Sequence, residues 1–313
     1  MTKFPNFFLA GAPKAGTTAL YNYLGQHPEI YMSPVKEPNF FAEELRLANF
    51  SDHFRKLAEA RVPTRGPVSE WADYLKLFEG ARDEKAIGEA SVSYFWEKNA
   101  PRAISTKIVM AKILVILRNP VERALSQFSH MASFAEKPMR FSEYLDRAME
   151  SRDTRISEFY PCLNYGLYGE QLERYRAFFD ADRIRIHLYE DFRNEPKHVL
   201  QKIFRFLEVD PNFEPDLSAR HMESAVPRSY FLKKALDRLG IRETLRGRLP
   251  PEIRRYVRKA TLRPREELTM TPDDHARLVD FYREDIGKLS EMLQRDLSSW
   301  LAAHQTGART GRR

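Results

Sequence analysis

The sequence predicts an α/β fold of the doubly wound type, in which helices cover both faces of a parallel sheet. Short apolar segments alternate along the chain with segments of helical periodicity, as strand–helix–strand units require. Residues 113–117 are apolar at every position, which is typical of a strand buried on both faces of a parallel sheet. A chain of 313 residues, 42% of them hydrophobic, is long enough for one large domain of this kind.

Four strands and five helices are predicted from these patterns. The first helix, residues 17–25, carries Leu20 and Leu24 on one face. The helix over residues 121–135 follows Pro120, a residue that the first position of a helix tolerates. The predicted strands are residues 6–10, 86–89, 112–117 and 183–188, and the other helices are residues 171–179, 199–207 and 272–300.

Residues 1–301 are expected to form a single domain, followed by a disordered tail at residues 306–313. Within the domain, residues 218–268 are basic and punctuated by proline, which indicates a lid or a helical cap. Between Arg228 and Arg265, thirteen lysines and arginines stand against three acidic residues, so this segment carries +10 and the rest of the chain −3. Such a segment suits an anionic ligand, an acidic glycan or a membrane surface, and a set of solvated helix faces is an equal alternative.

The expected location is the cytoplasm. Cys162 is the single cysteine, which excludes an internal disulfide and fits a reducing compartment. It is interpreted as a packing residue, because nothing near it in sequence would lower the pKa of its thiol. No targeting segment is visible, and no apolar stretch approaches the ~20 residues that span a bilayer.

The turn after the first predicted strand has the residues of an anion-binding loop. Gly11 and Gly16 allow the backbone to approach a ligand closely, and the N–H groups of a helix start point at an anion. Thr17 and Thr18 add hydroxyl donors. The loop is not a Walker A motif, because Thr17 occupies the position of the Walker lysine and the lysine lies inside the loop, at Lys14. This arrangement suits a phosphosulfate better than a triphosphate.

A second candidate element follows the apolar strand at residues 113–117. Arg118 stands at the carboxyl end of that strand, where parallel sheets bind ligands, and its planar guanidinium can hold a phosphate through two hydrogen bonds. Ser126 adds a hydroxyl from the next helix. Each residue alone would more often be structural, but their order after the glycine loop makes them a candidate phosphate site.

The two segments resemble the nucleotide motifs of the sulfotransferase family that uses 3′-phosphoadenosine 5′-phosphosulfate (PAPS). Pro13-Lys14-Ala15-Gly16-Thr17-Thr18 resembles the 5′-phosphosulfate loop, especially in the branch of the heparan sulfate and carbohydrate sulfotransferases. The segment from Ile113 to Ser126 is similar to the family's strand, Arg-x-Pro and serine pattern, which binds the 3′-phosphate. The donor-binding residues implied by the resemblance are Lys14, Ala15, Gly16, Thr17, Thr18, Arg118, Ser126 and, from a basic loop late in the chain, Arg228.

Two further segments resemble the acceptor side of the same family. Lys36-Glu37-Pro38-Asn39-Phe40-Phe41 is similar to its Lys-Glu-x-x-Phe-Phe segment, which implies that Glu37 is the catalytic base and that Lys36 contacts acceptor or donor. The segment around Ser91 is also family-like and implies that Ser91 or Tyr94 lines the acceptor cleft. Heparan-modifying relatives often carry histidine at Asn39 and lysine at Ala90, so these departures favour a different acceptor.

The resemblance implies a three-layer, P-loop-like α/β fold with the basic segment as its lid, and an in-line sulfuryl transfer that needs no metal. Lys14 would stabilise the leaving oxygen as adenosine 3′,5′-bisphosphate departs, while Glu37 takes a proton from a hydroxyl or amine. A carbohydrate or glycoconjugate is the first acceptor expected, ahead of lipid-linked and small-molecule acceptors. No nucleic-acid partner is expected, and peripheral contact with a membrane stays an option.

Two other functions stay open at this point. A P-loop kinase or nucleoside triphosphatase would need ATP and Mg²⁺; the displaced Lys14, and Arg118 in place of an aspartate, argue against it. A nucleotide- or glycan-binding module without activity is the alternative outside enzymes. No metal site is expected, because the eight histidines lack the spacing of metal ligands.

Overall fold

The structure is a computed structural model, and it describes residues 3–45, 68–132, 139–151, 162–218 and 269–302. Its centre is a five-stranded sheet in which every pair of neighbouring strands is parallel, with the strand order β2-β3-β1-β4-β5. The strands are β1 (Phe7–Gly11), β2 (Ile30–Met32), β3 (Ala86–Ala90), β4 (Lys112–Leu117) and β5 (Ile184–Leu188).

Helices connect these strands and cover the sheet. The described residues also include four 3₁₀ turns, at Glu43–Leu45, Asn164–Gly166, Ala181–Arg183 and Ser298–Trp300. The α-helices are α1 (Thr17–Leu24), α2 (Trp71–Lys76), α3 (Ala100–Lys107), α4 (Pro120–Ala132), α5 (Phe141–Glu150), α6 (Tyr168–Arg176), α7 (Tyr189–Asn194), α8 (Pro196–Leu207) and α9 (Pro272–Leu293). The architecture confirms the predicted mixed α/β fold with a parallel sheet.

The core lies on the central strands. Every residue of β1 and β3 is buried, as is every residue of β4 except Lys112. This burial explains why β4 has no alternation of polar and apolar residues: both of its faces are covered, so each position needs an apolar side chain. In register, Phe7 lies beside Gly88 on one side and Lys112 on the other.

The four predicted strands all exist, with ends within one residue of the prediction. The sequence patterns did not predict β2, or the helices α2, α3, α5 and α7. The predicted helix at residues 272–300 ends earlier, at Leu293, because Gln294 adopts a left-handed conformation (φ 49°) that closes the helix before a short 3₁₀ turn.

Helix α9 is capped at its start and packs against α6. Its first turn is a capping box, in which Thr271 and Asp274 exchange side-chain-to-backbone hydrogen bonds. Further along, the buried carboxylate of Asp285 accepts the N–H groups of Gly169 and Glu170, at 2.9 and 3.0 Å. Those are donors of the first turn of α6, which has no side-chain cap of its own.

Three sequence predictions lie outside the described residues: nearly all of the basic lid or cap (residues 219–268), the donor contact of Arg228 and the disordered tail (residues 306–313). In the part of the chain that is described, no helix is long and apolar enough to cross a membrane.

Candidate active site

A cleft of about 490 Å³ opens where the carboxyl ends of all five strands meet. Each strand is followed by residues that line the cleft, which is where parallel α/β sheets bind ligands. The lining residues include Lys14, Gly16, Thr17 and Thr18 after β1, Lys36, Glu37 and Asn39 after β2, Val92, Ser93 and Trp96 after β3, Arg118, Ser126, Gln127 and His130 after β4, and Tyr189 after β5.

The loop after β1 forms an anion cradle at the start of α1. Gly16 has a φ of 88°, and a Cβ at this position would lie 3.0 Å from the ring of Tyr189, so only glycine fits. No side chain caps the first turn of α1, which leaves its N–H groups for a ligand. Ala15 is buried beneath the loop, and its N–H donates to the carbonyl of Ala12 at 3.3 Å. The backbone of Ala15 therefore shapes the loop, while its neighbours face the cleft.

Lys14 presents an ammonium group that the described residues leave without a hydrogen bond. Burial lowers its pKa, and the positive charges of Arg118, Arg123 and Lys36 lower it further. A cation held among other cations is stabilised when an anion enters, so the electrostatics of Lys14 favour an anionic ligand at this point of the cleft.

Arg118 leaves β4 and reaches across the cradle. Its Nη1 donates to the carbonyl of Lys14 at 3.4 Å, and its Nη2 donates to Glu122 at 2.9 Å. Its guanidinium lies over the ring of Tyr189, 5.1 Å from the ring centroid. These contacts hold the guanidinium in one place. Ser126 lines the same cleft from α4, so the structure brings both parts of the predicted phosphate site together.

His130, one turn beyond Ser126 on α4, also lines the cleft and was not among the predicted site residues. Burial and the charge of Lys14 lower the pKa of His130 to about 4, so its imidazole is neutral at pH 7. The four-residue spacing from Ser126 places both on one helix face, and this spacing was the signal in the sequence that could have indicated His130. Gln127 lines the cleft beside them.

Glu37 faces the cleft beside Lys36, with which its Oε1 forms an ion pair. Its other oxygen, Oε2, accepts the N–H of Val92 at 2.9 Å, and its own N–H donates to the carbonyl of Ala90 at 2.8 Å. The backbone of Glu37 is left-handed, with a φ of 62°. A carboxylate held by two donors at the cleft surface can accept a proton from a ligand.

Tyr94, one of the two residues predicted to line the acceptor cleft, is instead fully buried, and so is the other, Ser91. The Ser91 hydroxyl donates to Glu89 at 2.7 Å and accepts the N–H of Asn39 at 3.0 Å. Ser93, two residues on, lines the cleft and donates to the side-chain carbonyl of Asn39 at 2.6 Å. The prediction that Ser91 contacts the acceptor directly is therefore wrong, because its hydroxyl is buried and bonds to the backbone of Asn39, which lines the cleft.

Aromatic side chains form another part of the cleft wall. Tyr165 and Trp96 have ring centroids 5.1 Å apart, and both line the cleft. Tyr165 is partly exposed at the cleft, whereas Tyr168, three residues further on, is buried in the core. Tyr189 is a further cleft residue that the sequence did not indicate.

Two acidic residues, Glu190 and Asp191, follow Tyr189 and make structural contacts. The side chain of Glu190 accepts the N–H of Asn119 at 3.1 Å, and Asp191 forms an ion pair with Arg295 at 2.5 Å. Both carboxylates therefore fasten neighbouring segments to the end of β5. Nowhere in the described ranges do three histidine, cysteine, aspartate or glutamate side chains come together as metal ligands would.

The cleft thus pairs an anion cradle with a carboxylate. Lys14, Arg118 and the start of α1 line it together with Glu37. Such an arrangement can hold an anionic group in front of a proton acceptor, which is what group transfer to a hydroxyl or amine requires.

Comparisons with known proteins give this geometry a context. The family profile of the sulfotransferase domain matches residues 4–290. Human carbohydrate sulfotransferase 15 is 26% identical over an alignment that covers 95% of this chain and 54% of that protein. The mouse bifunctional heparan sulfate N-deacetylase/N-sulfotransferase 4 is 28% identical, over 67% of this chain and 23% of that protein. The chain therefore spans about half the length of the human relative and less than a quarter of the mouse one.

A solved sulfotransferase from Alicyclobacillus acidocaldarius has a similar fold. It is 28% identical to this chain and superposes with a TM-score of 0.70, over 96% of this chain and 100% of that one.

Proposed function

The chain belongs to the sulfotransferase family, and on that premise we propose that it transfers a sulfuryl group from PAPS to a hydroxyl or amine of an acceptor. The observation that carries the proposal is the hydrogen bond from Arg118 Nη1 to the carbonyl of Lys14. It joins two phosphate-binding motifs that are 104 residues apart in sequence, and it does so in a cleft that also holds Glu37.

The described residues fit a donor with two separate anionic groups. Lys14, Gly16, Thr17 and Thr18 form the cradle at the helix start, which suits the 5′-phosphosulfate. Arg118 and Ser126 lie beside it and suit the 3′-phosphate. When bound, PAPS supplies a sulfuryl group attached to a phosphate leaving group. Arg228, from the basic segment, stays a predicted further contact.

The chain's own residues would act on the two ends of this transfer. Glu37 Oε2 or Oε1 takes the proton of the attacking hydroxyl or amine as the new bond to sulfur forms. Lys14 and the N–H groups at the start of α1 stabilise the negative charge on the bridging oxygen as its bond to sulfur breaks. Lys36, which is paired with Glu37, keeps that carboxylate next to the reacting groups. Positioning and fixed charges thus carry the reaction.

A carbohydrate or glycoconjugate is the acceptor that we propose. The aromatic wall of Trp96 and Tyr165, together with Leu45 and Val92, gives the cleft an apolar surface beside the polar groups, as in sites that bind ring-shaped ligands. The printed names of the relatives refer to carbohydrate and heparan sulfate. Asn39 lies directly at the cleft, so its difference from the histidine of heparan-modifying enzymes bears on acceptor choice.

Thermal unfolding with and without nucleotide tests the donor. A ligand that binds only the folded state stabilises it, by about 2.7 kcal/mol at a concentration of 100 Kd. Adenosine 3′,5′-bisphosphate should therefore raise the Tm far more than ATP with Mg²⁺. Equal stabilisation by ATP with Mg²⁺ would favour a kinase or triphosphatase, and no stabilisation by the bisphosphate would contradict the proposed donor.

A second experiment tests the acceptor. Purified protein is incubated with ³⁵S-labelled PAPS and a panel of desulfated heparan oligosaccharides, unsulfated chondroitin, neutral oligosaccharides, a glycolipid and simple phenols. Label should enter a carbohydrate, and Glu37→Gln should lower that transfer by about 10² or more. Labelling of phenols alone would contradict the carbohydrate acceptor while leaving sulfuryl transfer intact.

A further inference from the structure

Glu89, at the end of β3, is a carboxylate with no exposure to solvent. Three hydroxyl groups donate to it: those of Tyr74 and Tyr94 to Oε1, at 2.7 and 2.8 Å, and that of Ser91 to Oε2, at 2.7 Å. A buried carboxylate is costly unless its oxygens are satisfied, and here the three donors supply hydrogen bonds to both oxygens.

Two of these hydroxyls continue towards the cleft. Ser91 Oγ accepts the N–H of Asn39 at 3.0 Å, and the Tyr94 hydroxyl accepts the N–H of Phe41 at 3.3 Å. Asn39 in turn donates from its side-chain amide to the carbonyl of Glu37 at 2.9 Å. These hydrogen bonds, connected through Asn39, therefore link the buried carboxylate to the backbone of the candidate base.

The segment from Glu37 to Phe41, whose N–H groups donate to Ser91 and Tyr94, has an unusual backbone conformation. Glu37 and Asn39 both have left-handed backbones, with φ of 62° and 54°, a conformation that residues other than glycine adopt at an energetic cost. Such a conformation persists where surrounding contacts over-determine it, and the bonds from Ser91 and Tyr94 are contacts of that kind.

Charge also links the two carboxyl groups. Burial raises the pKa of Glu89 to about 7, the three hydroxyl bonds act in the opposite direction, and the charge of Glu37 adds to the rise. The fold therefore keeps a carboxyl group next to the cleft at an electrostatic cost. An apolar residue at this position would avoid that cost, so stability alone does not explain Glu89.

We propose that Glu89 is a positioning residue that holds Glu37 in its reactive conformation through the hydroxyls of Ser91 and Tyr94. The inference rests on the proposed function, because it assigns Glu89 a part in the proton transfer that Glu37 performs. It adds a residue that does not line the cleft and so touches neither donor nor acceptor.

Tyr74 provides a matched control. Tyr74 and Tyr94 are both fully buried, and both donate to the same oxygen of Glu89. Only the Tyr94 hydroxyl also accepts a bond from the segment that contains Glu37. If Glu89 served stability alone, Tyr74→Phe and Tyr94→Phe would have equivalent effects. If Glu89 positions Glu37, the two variants should differ in catalysis and in the protection of that segment.

The first measurement needs no activity. Hydrogen exchange, followed by mass spectrometry of peptides covering residues 33–42, reports on the N–H groups of Asn39 and Phe41. Exchange should be faster in Glu89→Gln, Ser91→Ala and Tyr94→Phe and unchanged in Tyr74→Phe, and Ser91→Thr, which keeps the hydroxyl, should restore protection. Unchanged exchange in the first three variants would overturn the inference.

The second measurement is the release of ³⁵S-sulfate from labelled PAPS, with water as the acceptor. Ser91→Ala and Tyr94→Phe should lower kcat about tenfold and leave the KM for PAPS within twofold, because the base is displaced while the donor cradle is intact. Tyr74→Phe should stay within twofold of the parent in both constants.

The two proposals fail separately. If Glu37→Gln abolishes release and the Ser91 and Tyr94 variants do not lower kcat, Glu89 has no positioning role and the proposed function stands. If Glu37→Gln releases sulfate at the full rate, the proposed base is wrong. In that case, and equally if the parent protein does not use water as an acceptor, the exchange data decide whether Glu89 holds the segment.

Discussion

At the scale of single residues, Arg118 and Arg193 offer a direct test of the donor site. Both guanidinium groups lie over the ring of Tyr189, at 5.1 and 5.9 Å from its centroid, but only Arg118 lines the cleft. Arg118→Ala should weaken the binding of adenosine 3′,5′-bisphosphate by roughly 1.5–3 kcal/mol, through loss of a charge-assisted hydrogen-bonding partner. Arg193→Ala should change it by less than about 0.5 kcal/mol. Titration calorimetry measures both, and equal losses would place the phosphate elsewhere.

Lys14 makes donor binding sensitive to alkaline pH. Its ammonium is charged below its pKa, and burial with the neighbouring cations lowers that pKa from 10.5. Affinity for the bisphosphate should therefore be present at neutral pH and be lost as the pH rises through this lowered value, earlier than for an ordinary lysine. Lys14→Arg should move the loss to higher pH, because a guanidinium stays protonated. Calorimetry from pH 7 to 10 measures the loss, and an identical profile in Lys14→Arg would assign it to another group.

The residues of the cleft differ in how far the sequence alone could predict them. Lys14 and Arg118 could be placed at the cleft because Arg118 directly follows an apolar strand and Lys14 lies in the short glycine loop after another. Ser91 was assigned to the cleft where Ser93 lines it, because both follow the same strand and only the folded turn decides which one faces inward. Trp96 and Tyr165 come from segments that are distant in sequence, so no local sequence pattern could predict their contact.

At the scale of elements, α9 holds α6 through one buried carboxylate. Asp285 accepts two N–H groups of the first turn of α6, whereas Asp280, on the same helix, forms an exposed ion pair with Arg283. Asp285→Ala should lower the free energy of unfolding by about 1–3 kcal/mol, because it leaves two donors unsatisfied. Asp280→Ala removes the same side chain from the same helix and should change it by less than about 0.5 kcal/mol.

Urea unfolding of the two variants gives this comparison directly. A similar small effect of both substitutions would mean that water satisfies the first turn of α6 as well as Asp285 does. It would then be packing, rather than this cap, that fixes α6 against α9.

The missed elements share a physical cause. Strand β2 has three residues, too few to show a period, and it exists because it pairs with β3 from Ile30 to Met32. Helix α2 has six residues, and helix α7 follows β5 without an intervening turn. Long elements carry their own signal in the hydrophobic pattern, whereas short ones depend on tertiary partners that a linear sequence does not display.

At the scale of the whole molecule, the cleft draws residues from the ends of all five strands. A ligand that touches several of them adds contacts between segments that the sheet, and hydrogen bonds such as that from Arg118 to Lys14, already join. Its binding energy adds to the stability of the fold. The residues proposed to hold the donor follow β1 and β4, whereas the residues proposed to act on the acceptor follow β2 and β3.

The left-handed residues of the described chain have an uneven distribution. Lys14, Gly16, Glu37 and Asn39 all line the cleft, and the other two, Glu208 and Gln294, end helices. Glu37→Gly and Glu37→Ala both remove the carboxylate, but only glycine accepts a φ of 62° freely, so the glycine variant should be the more stable by about 1 kcal/mol. At Glu143, inside helix α5, the order should reverse. Denaturant unfolding of the four variants measures both differences, and an alanine variant at position 37 as stable as the glycine one would refute the strain.

This distribution has a consequence for experimental evolution. In a library of variants screened for heat resistance alone, with no selection for activity, stability should increase most at cleft positions where a residue other than glycine has a left-handed backbone. Replacements should therefore accumulate at Glu37 and Asn39 sooner than in the sheet. The resulting heat-resistant but inactive variants would then mark residues of the proposed active site, although no substrate was used in the selection.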